Sequence, residues 1–221
     1  MLVGAALGLS LVAYGVFLTP TTRLLSIAAA ATVLIAYAAV AWFVVPVVSG
    51  RYPAAMHAAE WAGLVAGTIF AAEICSEYVF LPRNNAPWGE VEFGLVFLVY
   101  ASAGLWVAFM GFRIREAMIA GSFSAVVSSL VWCVFVLATF YLFYGTDRQR
   151  QVFQAEGDFD DFHRSGMSNF PAFITEDFFG ATFYHLLLGP ALGSVLGFIG
   201  GVIGQLPARI KSRRHALRKE R

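Results

Sequence analysis

Residues 53–80 read PAAMHAAEWAGLVAGTIFAAEICSEYVF, and whether this stretch can cross a membrane decides how the whole chain is organised. A helix crosses the ~30 Å hydrocarbon core with about 20 apolar residues. The longest uncharged run here, Trp61–Ala72, has only 12 residues. Any spanning window through it takes in Glu60 or Glu73, so at least one carboxyl group lies at hydrocarbon depth.

The flanking sequence is simpler. Met1–Thr22, Leu24–Gly50, Phe93–Phe112, Ala117–Thr146 and Phe178–Ala208 contain no Asp, Glu, Lys or Arg, and each is long enough to span. With the charged segment included, the pattern predicts an all-α, polytopic transmembrane helical bundle of six spans, at about 2–18, 24–48, 54–80, 92–112, 117–144 and 178–206. An outer loop, 145–177, and a basic tail, 209–221, complete the chain. Pro20, Pro53, Pro82 and Pro87 punctuate the connections, as expected of a residue that breaks helices. Composition agrees. Hydrophobic residues make up 59% and charged residues 13%, against about 25% charged in soluble domains. That is too little polar surface for a water-soluble monomer, and a net charge of +1 without a basic face excludes a nucleic-acid partner.

Lys and Arg near span ends favour the cytoplasmic side. Placing the tail inside gives ten basic residues there: Arg51, Arg113, Arg115, Arg209, Lys211, Arg213, Arg214, Arg218, Lys219 and Arg221. Five fall outside: Arg23, Arg83, Arg148, Arg150 and Arg164. Both termini are then cytoplasmic. The first segment has no Lys or Arg ahead of its apolar run, unlike a cleaved signal peptide, and reads as a retained helix.

A charged carboxylate at mid-helix costs ~2.5–3.5 kcal/mol on insertion scales; it is expected to face the bundle interior, to be paired, or to be protonated. Glu73 and Glu77 share a helical face near the outer end of the third span, whereas His57 and Glu60 share a nearly opposite face near its inner end. Glu73 lies about seven residues below the outer end, and His185 about seven residues below Phe178. The two are therefore expected to meet at one depth, beneath Glu77, Glu176 and Asp177. That grouping suits a proton relay or a cation path. The spacing matches no metal motif, and no cofactor is implied.

Other patterns point to packing. Gly189, Gly193, Gly197 and Gly201 recur every four residues, a smooth stripe for a neighbouring helix, a second copy or a membrane-protein partner. Pro190 within that segment is expected to kink it. Ser124 and Ser128 share a face and can bond a neighbouring helix. The outer loop interleaves acids with Phe153, Phe159, Phe162, Phe170 and Phe173 and reads as an irregular cap on the bundle. Its Asp158, Asp160 and Asp161 lack the spaced ligands, Gly and terminal Glu of a calcium loop. Besides the bilayer itself, the basic tail offers a contact for anionic lipid.

No nucleophile–base pair, phosphate loop, HxxxH or CxxC is present, so an enzyme is the weakest reading. A small proton- or cation-coupled transporter or ion-permeation protein in the cell or inner membrane, using Glu73, Glu77 and His185, stands first. A non-catalytic structural or assembly subunit of a larger membrane complex stands close behind.

Overall fold

A computed structural model describes residues 1–80 and 86–219, with side chains described for 1–80 and 89–206. The side chains of the basic tail, together with Arg83, Pro82 and Pro87, lie outside the described residues. The structure is all-helical, with no strand among the described residues. Among the described residues eight helices follow one another: α1 (Leu2–Leu18), α2 (Leu24–Arg51), α3 (Pro53–Phe80), α4 (Ala86–Phe109), α5 (Ile114–Leu142), α6 (Asp147–Glu156), α7 (Asp158–Ser165) and α8 (Phe170–Lys219). Five of them, α2, α3, α4, α5 and α8, are long and apolar enough to cross a membrane. At 17 residues, α1 reaches roughly 26 Å at 1.5 Å per residue, somewhat less than the core thickness. Consecutive long helices reverse direction. One end of the bundle thus carries the 19–23 and 143–169 connections (the cap end), and the other carries residues 51–53 and 110–113.

Two sequence expectations need correction. The segment 145–177 is not an irregular loop. It forms α6 and α7, and α8 begins at Phe170 rather than near 178, which moves Glu176 and Asp177 onto a long helix. The fourth helix likewise begins at Ala86, ahead of the expected 92. In both cases the helix outruns the hydrophobic segment, because Glu and other straight-chain polar residues propagate a helix well once it is nucleated. α8 stays helical through Pro190, running from Phe170 to Lys219. The proline with a visible local consequence is Pro46 in α2. It has no N–H to offer the carbonyl four residues back, and a π turn at Val40–Val44 immediately precedes it, with the Val45 N–H donating to Val40 O.

The core is organised around α5, which packs on α1, α3, α4 and α8. Its small buried residues Ala117, Ala120, Gly121, Ser124 and Ala125 let neighbours approach to backbone distance. On α8 the glycine stripe faces this surface. A Cβ on Gly193 would collide with the Gly121 carbonyl oxygen, one on Gly197 with that of Ala117, and one on Gly200 with that of Ala101 on α4. Gly104 of α4 meets the Gly197 carbonyl in the same way. The stripe, which the sequence assigned first to packing, is thus covered by α4 and α5 of the same chain. Ser124 donates to Ala120 O at 2.7 Å within its own helix, and Ser128 bonds the Tyr100 hydroxyl of α4.

Around this interior the outer faces are apolar: Phe17, Leu25, Trp42, Phe43, Trp61, Trp106 and Leu188 are all exposed, a distribution suited to lipid rather than water. A polar seam closes the cap end. Thr19 Oγ1 donates to Thr175 Oγ1 at 3.1 Å, the Arg23 N–H to Glu176 Oε1 at 2.8 Å, and Asn169 Nδ2 to Thr21 Oγ1 at 3.3 Å. The Arg23 guanidinium also pairs with Glu176 at 3.6 Å.

The glycine contacts predict a sharp contrast. Gly104→Ala drives a methyl into backbone that cannot yield and should lower stability by about 1–3 kcal/mol. Gly94→Ala, which meets nothing within 4 Å, should leave stability unchanged. Thermal unfolding of the two purified variants in detergent measures the difference.

Candidate functional site

Glu73 and Glu77 lie one turn apart on α3, half-buried, at the side facing α4. Because α4 runs antiparallel to α3, it brings Glu92 alongside, within hydrogen-bonding reach of the Glu73 carboxyl group. The register of this pair is held just below by Phe70 and Phe93, whose rings meet edge to face at 5.7 Å. Two carboxyl groups this close can hydrogen-bond to each other only when one of them carries a proton.

Further carboxyl groups extend from this pair toward the cap. Glu77 lies under the influence of Glu92 and Asp158, Glu156 under that of Glu77, Asp158, Glu73 and Asp177, and Asp158 under that of Asp177. Five helices therefore contribute: α3, α4, α6, α7 and α8. The bend between α6 and α7 depends on Gly157, whose φ of 89° is a left-handed conformation favouring glycine. It sets Glu156 and Asp158 side by side over the end of α3. Although Glu156 is exposed, desolvation by the surrounding protein, followed by the neighbouring carboxylates Glu77, Asp158, Glu73 and Asp177, pushes it up to about 8. Burial and then Asp177 push Asp158 up to about 6. Among the described residues, no three His, Cys, Asp or Glu side chains converge closely enough to hold a metal. The groups form a line rather than a cage.

Arg148 on α6 reaches this region without neutralising it. Its guanidinium donates to the carbonyls of Tyr78 and Val79, the unpaired acceptors of the last turn of α3.

The expected meeting of Glu73 with His185 is not formed. His185 stacks on Trp132 with ring centroids 4.1 Å apart and 9° between planes. It also lies 5.4 Å from Phe70 and 6.3 Å from Phe93. Phe70 is one turn deeper on α3 than Glu73, and no ion pair joins His185 to a carboxylate among the described residues. The physical reason is the early start of α8: the depth of His185 was counted from residue 178, whereas the helix begins at Phe170. His185 instead borders a small cavity of about 170 Å³ with Phe97, Tyr100 and Tyr184.

The remaining candidates separate. Asp177 belongs to the carboxyl line, whereas Glu176 is tied to Arg23 in the polar seam. His57 and Glu60 lie at the other end of the bundle, both exposed, on a cleft of about 580 Å³ shared with Ala41, Ser49, Met56 and Phe123. Glu92 was missed. Its only signal was a carboxylate at the first residue of the expected fourth span, a position that reads as interfacial. Glu156 and Asp158 were visible only as loop acids.

Compared with protein-family models, curated proteins and solved structures, the chain matches none. What fold and site define is therefore a class: an all-helical protein with several helices apolar enough to be membrane-integral, carrying a line of carboxyl groups at one end.

The carboxyl line predicts a pH-dependent stability. Glu156 rises from an ordinary 4.5 to about 8, so between these values the folded state binds more protons than the unfolded one. Stability from this group is fully present below about 4.5 and is lost as pH rises through 8. The unfolding temperature should fall over that interval, and Glu156→Gln should flatten the profile. A thermal-unfolding series across pH reads both.

Proposed function

We infer that the chain is a multi-pass integral membrane protein of six spans, with α1 as the first and both termini cytoplasmic, that moves protons or small cations across the bilayer. The close pairing of the Glu73 and Glu92 carboxyl groups across α3 and α4 carries this reading. Two ionised carboxylates 4 Å apart repel by about 4 kcal/mol at an effective dielectric near 20, more than the ~2.5–3.5 kcal/mol cost of one charged carboxylate at mid-helix. The pair is therefore stable with one proton, or with a cation in its place.

Exchange between these two loads is the elementary step. A cation arriving between the carboxylates displaces the shared proton, which passes by way of Glu77 to Glu156, Asp158 and Asp177 at the cap. On the deeper side, Phe70, Phe93 and the imidazole of His185 form the next barrier. An imidazole can carry a proton, and His185 is the second station on this path. The ten-to-five excess of basic residues at the opposite end supports the orientation, with the carboxyl line outward.

Reconstitution into liposomes with an enclosed pH-sensitive dye tests the reading. The wild-type chain should carry a proton flux under an imposed cation or pH gradient, and Glu73→Gln and Glu92→Gln should each reduce it at least about tenfold while remaining folded. Glu176→Gln, which removes only a seam contact, should retain it. Wild-type flux in both pair variants would sink the proposal. So would a native protein that is inert alone and purifies only with a stoichiometric membrane partner, the mark of a structural subunit.

A further inference from the structure

The cap encloses a second cavity, of about 380 Å³, that the carboxyl line does not use. It opens between α6, α7 and the first turns of α8, and its walls are aromatic. Phe159 stacks on Phe170 at 4.5 Å and 15°, Phe153 stands edge-on to Phe170 at 5.6 Å, and Phe140 lies beneath. A volume of this size, apolar walls and a few polar groups are the attributes of small-molecule sites.

The polar side chains of the lining can be accounted for one by one. Gln149 is committed at both ends, donating to Phe140 O at 2.9 Å and accepting from the Gly145 N–H at 3.0 Å. Thr146 Oγ1 donates to Phe143 O at 2.6 Å and accepts from the Gln149 N–H at 3.2 Å. Two groups remain, the Arg150 guanidinium and the Tyr144 hydroxyl. Neither has a hydrogen bond or ion pair among the described residues, although acidic side chains abound at this end. On α6, Arg150 stands about 120° around the helix from Glu156 at 3.6 residues per turn, so it faces away from the carboxyl line. Both uncommitted groups are hydrogen-bond donors, and one carries a full positive charge.

We propose that this cavity binds an organic anion, a carboxylate or similar oxyanion on an apolar body. The body lies among Phe140, Phe153, Phe159 and Phe170. The oxyanion meets the planar fork of Arg150, whose geometry matches a carboxylate in two parallel hydrogen bonds, and the Tyr144 hydroxyl supplies a third donor. The site does not depend on the proton-handling reading.

The test is ligand-dependent thermal unfolding of the full chain in detergent. The probes are 3-phenylpropionate, its neutral amide, octanoate and inorganic phosphate. 3-Phenylpropionate should raise the unfolding temperature saturably, and the amide and phosphate should not. Octanoate separates the two sources of such a ligand: a stronger effect than the ring compound identifies a lipid-derived acyl anion, and a weaker one identifies a soluble aromatic acid. Arg150→Gln should weaken binding by about tenfold or more, as expected for loss of a charged hydrogen-bonding partner, without changing the unfolding temperature of the empty protein. Tyr144→Phe should weaken it less. If Arg150→Gln does not fold, Arg150→Lys, which keeps the charge but loses the fork, should bind more weakly than wild type. Equal shifts with acid and amide, an undiminished shift in the folded Arg150 variants, or no shift with either anion would overturn the proposal.

Discussion

The close approach of α8 to α4 and α5 is the constraint on which the rest of the structure depends. In a bilayer the hydrophobic effect does little to hold helices together, and association relies on packing and interhelical hydrogen bonds. Glycines at 193, 197 and 200 of α8, opposed by Gly121, Ala117 and Ala101, bring backbone against backbone, where dispersion contacts are most numerous. This fixes α4, α5 and α8 as one block. α3 joins it along its own small residues, Gly63 and Gly67, which abut Val127 and Val131 of α5. The antiparallel register of α3 and α4 that follows is what sets Glu92 against Glu73.

The cap is positioned by the same block. Gln149 is anchored to the carbonyl of Phe140, Arg148 to the end of α3, and Phe170 of α8 receives Phe153, Phe159 and Phe162. Two chemically opposite environments result within one small unit. On one side, carboxyl groups from five helices crowd over the end of α3; on the other, aromatic rings line a cavity with Arg150 at its edge. Gly157, with its left-handed backbone, lets α6 and α7 serve both.

Much of this architecture was legible in the chain. The long uncharged runs identified the apolar helices because burial in hydrocarbon tolerates little else, and Glu73 was conspicuous because it interrupted one of them. Helix ends were less legible. Glu90, Glu92 and residues 170–177 look like boundaries by hydropathy, yet the backbone continues helically through them, since helix propagation is indifferent to where the hydrocarbon stops. Pairings were the least legible. Whether Glu73 meets His185 or Glu92 depends on depths and rotations set by the Phe70–Phe93 contact and the early start of α8, neither of which one-dimensional spacing encodes. The polar pattern of α6, with single apolar positions at Val152 and Phe153, resembles a loop until its aromatic partners are in place.

The seam between Thr19, Thr21, Arg23 and the start of α8 has a consequence for biosynthesis. Its partners are separated by 148 to 156 residues, and chains emerge at about 5–20 residues per second. The first hairpin therefore waits on the order of ten to thirty seconds for the residues that fasten it. Until then its threonines are hydrated at the membrane surface, and α1, short for the bilayer, is held by α2 alone and then by α5. Completion of the last long helix is what locks the first one in place, so a truncated or stalled product exposes an unfastened hairpin, a feature by which quality control can tell unfinished chains from finished ones.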